Sequence, residues 1–117
     1  MNRGRQSLTR IAAIASIAAA ALLASEAYSQ QAVSVSLAVK NHRFEPGEIR
    51  APANRPIVLS IRNHDAAAVE FESVSLRVEK VIAANGQGTI SLRPLEPGRY
   101  NFFDDFHPET QGTLVVR

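Results

Sequence analysis

From Val33 onward, the sequence consists of short segments in which apolar and polar residues alternate, separated by turn signals. In residues 33–39 valine and leucine occupy every second position and serines lie between the first of them, which is the period of a half-buried β-strand. Pro-Gly pairs at 46–47 and 97–98 predict turns in which glycine adopts a positive φ, and Asn85-Gly86 predicts a further turn. No segment keeps a helical period over ten residues. The sequence therefore predicts an all-β domain, an antiparallel β-sandwich of about seven strands.

Residues 1–29 have the features of a secretory signal peptide. Arg3, Arg5 and Arg10 form a basic start, and the alanine-rich apolar run that follows is too short to span a bilayer stably. We expect cleavage near Gln30, which leaves residues 30–117 as one exported domain. An uncleaved membrane anchor is the alternative interpretation of this segment.

Charge and composition exclude several classes of function. Removing the leader takes away three arginines and one glutamate, which reduces the formal net charge of +2 to zero, so no basic footprint for nucleic acid is expected. The chain has no cysteine and hence no disulfide-linked partner. No serine nucleophile is arranged with a base and no water-activating zinc motif is present, so we expect no hydrolytic site.

The closing segment of the chain joins an aromatic strand to a valine strand through a loop with one histidine. By alternation Tyr100, Phe102 and Asp104 share one face, so Asp104 is expected to point toward the core. A carboxylate in that position is costly unless it is paired, hydrogen-bonded or bound to a metal. His107 follows three residues later, a spacing that lets both side chains meet one ion. We interpret both as metal ligands; the alternative is that Asp104 and Asp105 lie in a solvated loop.

Taken together, five segments resemble a cupredoxin, and more narrowly the small periplasmic cupredoxin-like proteins of the EfeO type, which are associated with bacterial iron uptake. They are "RFEPGEIRAPANRPIVLSIRN" (43–63), "VEFES" (69–73), "VEKVI" (78–82), "LEPGRYNFFDDFHP" (95–108) and "GTLVV" (112–116). The resemblance implies a Greek-key β-sandwich. Ordinary cupredoxins bind copper with a histidine, a Cys-x-x-His pair and a methionine. Here Asp104 stands at the cysteine position and His107 at the histidine position, while the first histidine and the methionine are missing.

These departures change the expected chemistry. Without a thiolate the site is not a blue-copper centre, and a carboxylate with an imidazole suits iron or Cu(II) better than Cu(I). The resemblance implies a periplasmic protein that assists iron transport, by binding iron or by a ferrous/ferric redox step of the ferroxidase type ahead of a permease. A membrane iron permease or another periplasmic iron-uptake protein is the implied partner. The alternatives are a metal-free adaptor with the cupredoxin fold and a periplasmic copper-binding protein.

Further candidate donors surround this pair in the sequence. Glu70 is the preferred third ligand because it lies beside the position of the missing histidine. Val69 and Phe71 are apolar, however, so alternation turns Glu70 toward solvent unless a β-bulge re-aims it. His42 and His64 lie next to turn signals and are interpreted as surface histidines, either of which could extend a metal site. The weaker candidates, for which a solvated position is the simpler interpretation, are Asp105, Glu72, Glu79 and, as a weak axial donor, Gln111.

Overall fold

The computed structural model describes residues 31–117, so the predicted signal peptide (1–29) lies outside the described residues. The described chain is all-β and forms nine strands. They are β1 (Val33–Lys40), β2 (Arg43–Glu45), β3 (Glu48–Ala51), β4 (Ile57–Asn63), β5 (Val69–Ser73), β6 (Val78–Ile82), β7 (Gln87–Leu92), β8 (Gly98–Asp104) and β9 (His107–Val116). Within residues 31–117 there is no helix long and apolar enough to cross a membrane.

The strands form two sheets, with the orders β2-β1-β4-β7 and β3-β9-β8-β5-β6. The all-β prediction is confirmed, but the strand number and the purely antiparallel arrangement are corrected. The two strands that the sequence analysis did not identify, β2 and β3, have three and four residues, too few to show an alternation. Both sheets are mixed, because β1 pairs with β4 and β3 pairs with β9 in parallel.

The Pro-Gly pair at 46–47 forms a bend between β2 and β3, whereas at 97–98 only Pro97 lies in a bend and Gly98 begins β8; neither pair has the predicted conformation. Gly47 and Gly98 do not adopt a positive φ, and the Glu45–Pro46 peptide bond is cis. The positive φ angles of the described chain belong instead to non-glycine residues, which are Asn41, His42, Asn54, Arg77 and Asn85. The turn at Asn85 is therefore confirmed, and its next residue closes it with a hydrogen bond from the Gly86 N–H to the carbonyl of Ala83.

Three phenylalanines from both sheets meet in the centre of the core. Phe44 of β2 packs edge-on against Phe102 of β8 with ring centroids 4.9 Å apart, and Phe71 of β5 lies 4.9 Å from Phe102. Gly112 of β9 pairs with Phe102, and a Cβ at this position would overlap the phenyl ring. The ring of Phe102 therefore occupies the space that a side chain at position 112 would need.

The parallel pairing of β1 with β4 determines which loops lie side by side. Val39 pairs with Asn63 at the carboxyl ends of the two strands, and the N–H of His64 donates to the carbonyl of Val39 at 2.8 Å. The turn after β1 and the segment after β4 consequently meet at the same end of the sheet. The Asp65 carboxylate accepts hydrogen bonds there from the N–H groups of Asn41 at 2.7 Å and His42 at 3.0 Å.

Candidate metal centre

Asp104 is a buried carboxylate at the end of β8. It is 1% exposed and, as alternation predicts, shares the inner face with Phe102. Its Oδ1 accepts hydrogen bonds from the N–H groups of Glu70 and Phe106, both at 3.0 Å, and its Oδ2 lies 3.2 Å from Nδ1 of His107. The cost of burying this carboxylate is thus offset by three polar partners, two of them backbone amides.

The segment that carries Asp104 and His107 is a tight turn between β8 and β9. β9 begins at His107, which pairs with Asp104, and a register shift separates Phe103 from Asp104. Asp105 and Phe106 form the tip, and the Asp105 N–H donates to the carbonyl of Glu70 at 2.9 Å. The shift skips residues of β9 and not of β8, because Phe103 pairs with Gln111 and Asp104 pairs with His107, so Asp104 keeps the inner face that alternation predicts and His107 lies directly across from it.

His42 is the third side chain at this end of the sandwich. Its imidazole lies against that of His107 with ring centroids 4.5 Å apart and an interplanar angle of 46°. The ring of His107 is partly exposed, with 36% of its side chain accessible, and His42 is exposed. The structure therefore places an imidazole from the β1–β2 turn beside the predicted Asp104–His107 pair, a contact that the sequence analysis left open.

Two buried polar residues hold the loops around His42. The hydroxyl of Thr110 donates to the His42 carbonyl at 2.6 Å, and Thr110 itself is 3% exposed. The side-chain amide of Asn63 donates to the carbonyls of Ala67 and Ala83, and its oxygen accepts the N–H of Asp65. These contacts fix the position of Asp65, whose carboxylate in turn holds the His42 backbone.

The pKa of the Asp65 carboxyl is lowered by this environment. The largest cause is the hydrogen bond from the His42 N–H, followed among the lowering effects by the N–H of Asn41 and by the charges of the His42 and His107 rings. Partial desolvation acts in the opposite direction but does not prevail. Asp65 is therefore an ionised group within electrostatic reach of both imidazoles.

Glu70 is not brought to the Asp104–His107 pair. Phe71 pairs with Asp104 across β5 and β8, so both point into the core, whereas Glu70 and Glu72 lie on the opposite face of β5. The strand pairs regularly with β6 and shows no bulge that would re-aim Glu70. Only the Glu70 backbone takes part in the centre, through the N–H that donates to Asp104.

The outer face of β5 and β6 instead gathers three carboxylates. Glu70, Glu72 and Glu79 each bring one oxygen within 4.8 Å of the others. The pKa of Glu70 is raised to about 7, first by a hydrogen bond shared with Glu79, and then by desolvation and the charges of Glu79, Asp105 and Glu72. Desolvation, followed by the charges of Asp105 and Glu79, raises the pKa of Glu72. The weaker candidates Glu72 and Glu79 thus form a group with Glu70, separate from Asp104, and the charge of Asp105 acts on this group.

The remaining candidate, Gln111, lies on β9 opposite Phe103, and its amide donates to the carbonyl of Pro108 at 3.1 Å. It is exposed and is engaged within its own strand, which gives it no axial role in the structure.

The Asp104–His107 pair is suited to a hard or borderline metal ion. Ligand atoms about 2.0–2.2 Å from one ion lie roughly 3 Å apart when they are adjacent in the coordination sphere, close to the 3.2 Å between Asp104 Oδ2 and His107 Nδ1. A thiolate-bound copper centre does not fit this chain, because it contains no cysteine and its single methionine is Met1.

Comparison with known proteins identifies the family. A sequence profile of the cupredoxin-like domain matches residues 12–116, and the chain therefore belongs to the cupredoxin-like domain family. One relative is an uncharacterized protein of Rickettsia prowazekii (strain Madrid E). It is 39% identical over 85 residues, which are 72% of this chain and 68% of the relative.

Solved structures share the fold at low sequence identity. The metal-binding domain of the Cu(I)-exporting P-type ATPase CopA of Streptococcus pneumoniae D39, solved with Cu(I), has a TM-score of 0.65 and 14% identity; the match covers 75% of this chain and 97% of that domain. Auracyanin A, a "blue" copper protein of Chloroflexus aurantiacus, has a TM-score of 0.62 and 12% identity. The match covers 74% of this chain and 100% of auracyanin A. A purple cupredoxin of Nitrosopumilus maritimus has a TM-score of 0.55 and 15% identity. The match covers 73% of this chain and 99% of the purple cupredoxin. These similarities establish a fold related to copper-binding proteins.

Proposed function

We propose that this protein binds iron in the periplasm through Asp104 and His107 and assists iron transport, either by carrying the ion or by a ferrous/ferric redox step ahead of a permease. The observation that carries the proposal is the 3.2 Å separation of Asp104 Oδ2 and His107 Nδ1, in which the carboxylate is buried and the imidazole is accessible from solvent. An ion reaching this turn from solvent meets the imidazole first and the carboxylate behind it.

The donor types support iron. A carboxylate and imidazoles suit Fe(II), Fe(III) and Cu(II), whereas Cu(I) prefers sulfur ligands. The segments quoted from the sequence resemble EfeO-type cupredoxin-like proteins, and that resemblance supports iron over the other metals. A membrane iron permease, or another periplasmic iron-uptake protein, is the partner that follows from this role. Export through a cleaved signal peptide should leave a mature start between Tyr28 and Ala32, measurable by mass spectrometry.

Two alternatives have an observation in their favour. The structural neighbours include copper-bound proteins, which favours Cu(II) binding at the same donors. The carboxylate of Asp104 has three hydrogen-bonding partners within the protein, which favours a metal-free adaptor, because the fold needs no ion to satisfy this residue.

Metal titration of matched variants tests the proposal. Isothermal titration calorimetry, carried out anaerobically for Fe(II) and in a chelated form for Fe(III), should show a site in the wild type whose affinity falls tenfold or more in Asp104→Asn and in His107→Ala. Each variant removes one donor, and tenfold corresponds to about 1.4 kcal/mol. Glu70→Gln is the matched control, since it removes a neighbouring carboxylate that faces away from Asp104.

The outcomes separate the three functions. Iron binding that depends on Asp104 and His107 supports the proposal, and binding restricted to Cu(II) favours the copper-binding alternative. If the wild type shows neither heat of binding nor metal-dependent thermal stabilisation with iron, Cu(II) or Zn(II), the metal-site proposal is wrong and the adaptor function takes its place.

A further inference from the structure

We propose that the outer face of the five-stranded sheet (β3-β9-β8-β5-β6) is a homodimer interface, on which the arginine-bearing half of each copy packs against the acidic half of the other. The inference is independent of the proposed metal site at Asp104 and His107. Three features of the face carry it, which are exposed apolar side chains, a groove beside them, and charges of opposite sign on its two halves.

The pairing of the strands determines which side chains lie on this face. Glu72 of β5 pairs with Phe103 of β8 on one side and with Glu79 of β6 on the other, so all three point outward. Asn101 and Arg99 precede Phe103 at every second position of β8 and share its face. Residues 31–117 form only two sheets, which pack through the inner faces that carry the core. The outer face therefore has no covering layer within the described chain and is open to a partner.

Apolar side chains are exposed on this face. Val74, which comes directly after β5, is 78% exposed, and Val81, which points outward beside Glu70, is 56% exposed. Phe103 is half-buried. A groove of about 330 Å³ lies between them and the start of β8, and its lining consists of Val74, Ser75, Arg99, Asn101 and Phe103. Exposed apolar side chains beside a groove with polar surroundings are typical of protein–protein contacts.

The charges of the face are separated into two halves. Arg99 and Arg50 both pair with Glu48, at 3.1 Å and 3.2 Å, so one carboxylate balances two guanidinium groups and one positive charge remains. The charged groups of the other half are the carboxylates Glu70, Glu72 and Glu79, and no ion pair within residues 31–117 includes them. A partner that brings a cation to the acidic half and a carboxylate to the arginine half would match both.

A second copy of the chain has both groups in the required arrangement. Glu72 lies directly beside Phe103, whereas Arg99 lies toward the start of β8. A two-fold axis in the plane of the contact, passing near Val74, places Arg99 opposite Glu72 of the partner subunit, and the symmetry repeats this contact in reverse. A uniformly basic or uniformly acidic partner would match one half of the face and be repelled by the other.

The size of the face predicts the strength of the dimer. Five strands spaced about 4.8 Å apart and about 20 Å long give an area on the order of 500 Å² for each copy. The total of about 1,000 Å² is at the lower end of specific interfaces. We therefore expect a dimer that exchanges with the monomer, with a dissociation constant in the micromolar range.

Sedimentation equilibrium tests the inference. The exported protein is measured from about 1 μM to about 1 mM with a chelator present, so that metal ions do not contribute to association. Arg99→Glu and Glu72→Arg are the decisive variants, because each alone opposes like charges in both symmetric contacts, whereas a 1:1 mixture joins opposite charges in both. Arg62→Glu and Glu45→Arg are the matched controls, since they reverse exposed charges on the outer face of the four-stranded sheet.

We expect wild type and both controls to dimerise, each reversal on the proposed interface to weaken dimerisation tenfold or more, and the mixture to recover it. Val74→Asp should weaken dimerisation equally without lowering thermal stability, because this side chain is exposed in the monomer. Thermal melts verify that every variant is folded. A wild type that stays monomeric up to about 1 mM overturns the inference and leaves the face to a different partner. Dimerisation that the two reversals do not change, or a mixture that stays monomeric, overturns it as well.

Discussion

The backbone N–H of Glu70 donates a 3.0 Å hydrogen bond to the carboxylate of Asp104, while the Glu70 side chain points away from it. This relationship separates two acidic groups that adjoin each other in the sheet. On the inner side, a single carboxylate is held by amides and an imidazole. On the outer side, Glu70 lies beside Glu79 and Glu72, and these neighbours raise the pKa of Glu70 to about 7. Glu70 therefore contributes to both groups, with its backbone N–H to the buried carboxylate of Asp104 and with its side chain to the outer carboxylates.

The hydrogen bonds to Asp104 predict its contribution to stability. Asp104→Asn keeps one oxygen acceptor for the two backbone amides but loses the negative charge that strengthens these bonds, so we expect the metal-free protein to lose about 1–3 kcal/mol of unfolding free energy. Urea denaturation measures this change. Asp105→Asn, at an exposed neighbouring position, is the control and should change stability by no more than about 0.5 kcal/mol. Equal stability of Asp104→Asn and wild type would contradict the hydrogen-bonding role.

The raised pKa of Glu70 predicts a dependence of stability on pH. Because the pKa of Glu70 is raised from its ordinary value of 4.5 to about 7, the folded protein binds this proton more tightly than the unfolded chain between these pH values. The resulting contribution to stability is greatest below about pH 4.5 and is lost as the pH rises through about 7.

Glu79→Gln should flatten this dependence, because glutamine donates a hydrogen bond to Glu70 without carrying a competing charge. Thermal melts between pH 4.5 and 8 measure the difference between the variant and wild type. Glu109→Gln changes the net charge equally at an exposed site and serves as the control. Parallel pH profiles for Glu79→Gln and wild type would refute the assignment.

The absence of cysteine predicts the colour of a copper-loaded protein. Cu(II) bound to a carboxylate and imidazoles should give a pale complex without the intense visible band of a copper–thiolate bond. Absorption spectroscopy of the Cu(II)-titrated protein measures this directly. An intensely blue or red complex would be inconsistent with the donor set described.

Gly112 is predicted to be intolerant of a side chain. In Gly112→Ala the new methyl group would displace the Phe102 ring, which is 1% exposed and packs against Phe44 and Phe71, so we expect a loss of about 1–3 kcal/mol of unfolding free energy. Gly47→Ala is the control, since a Cβ there has no other atom within 4 Å. Chemical denaturation of both variants tests the prediction, which fails if the two are equally stable.

The elements that could be predicted from the sequence are those with a local pattern. The alternation in β1 extends over enough residues to identify that strand, and the same period correctly turned Asp104 inward and Glu70 outward. The register shift at this end of the sheet lies in the pairing of β8 with β9 at Phe103/Asp104, where the sequence pattern does not reveal it, and not at Glu70.

The contact between His42 and His107 has no local signal of this kind. It depends on the parallel pairing of β1 with β4, which brings Asp65 to the β1–β2 turn. It also depends on β9, whose Thr110 hydroxyl donates to the His42 carbonyl in that turn. Alternation identifies the faces of a strand but not its neighbours, so this third side chain could only be recognised from the tertiary structure. The polar pair Asn41-His42 between two strands was the available clue, because both residue types tolerate a positive φ.

The parallel pairing also has a consequence for the order in which this end of the domain can be completed. Two parallel strands cannot form a hairpin, and the turn that carries His42 meets the Asp104–His107 turn only after the chain between them has been placed in both sheets. An unfolded or partly synthesised chain therefore contains both turn sequences but not the contact between them. The contact of the His42 and His107 rings can form only once the last strand, β9, is in place.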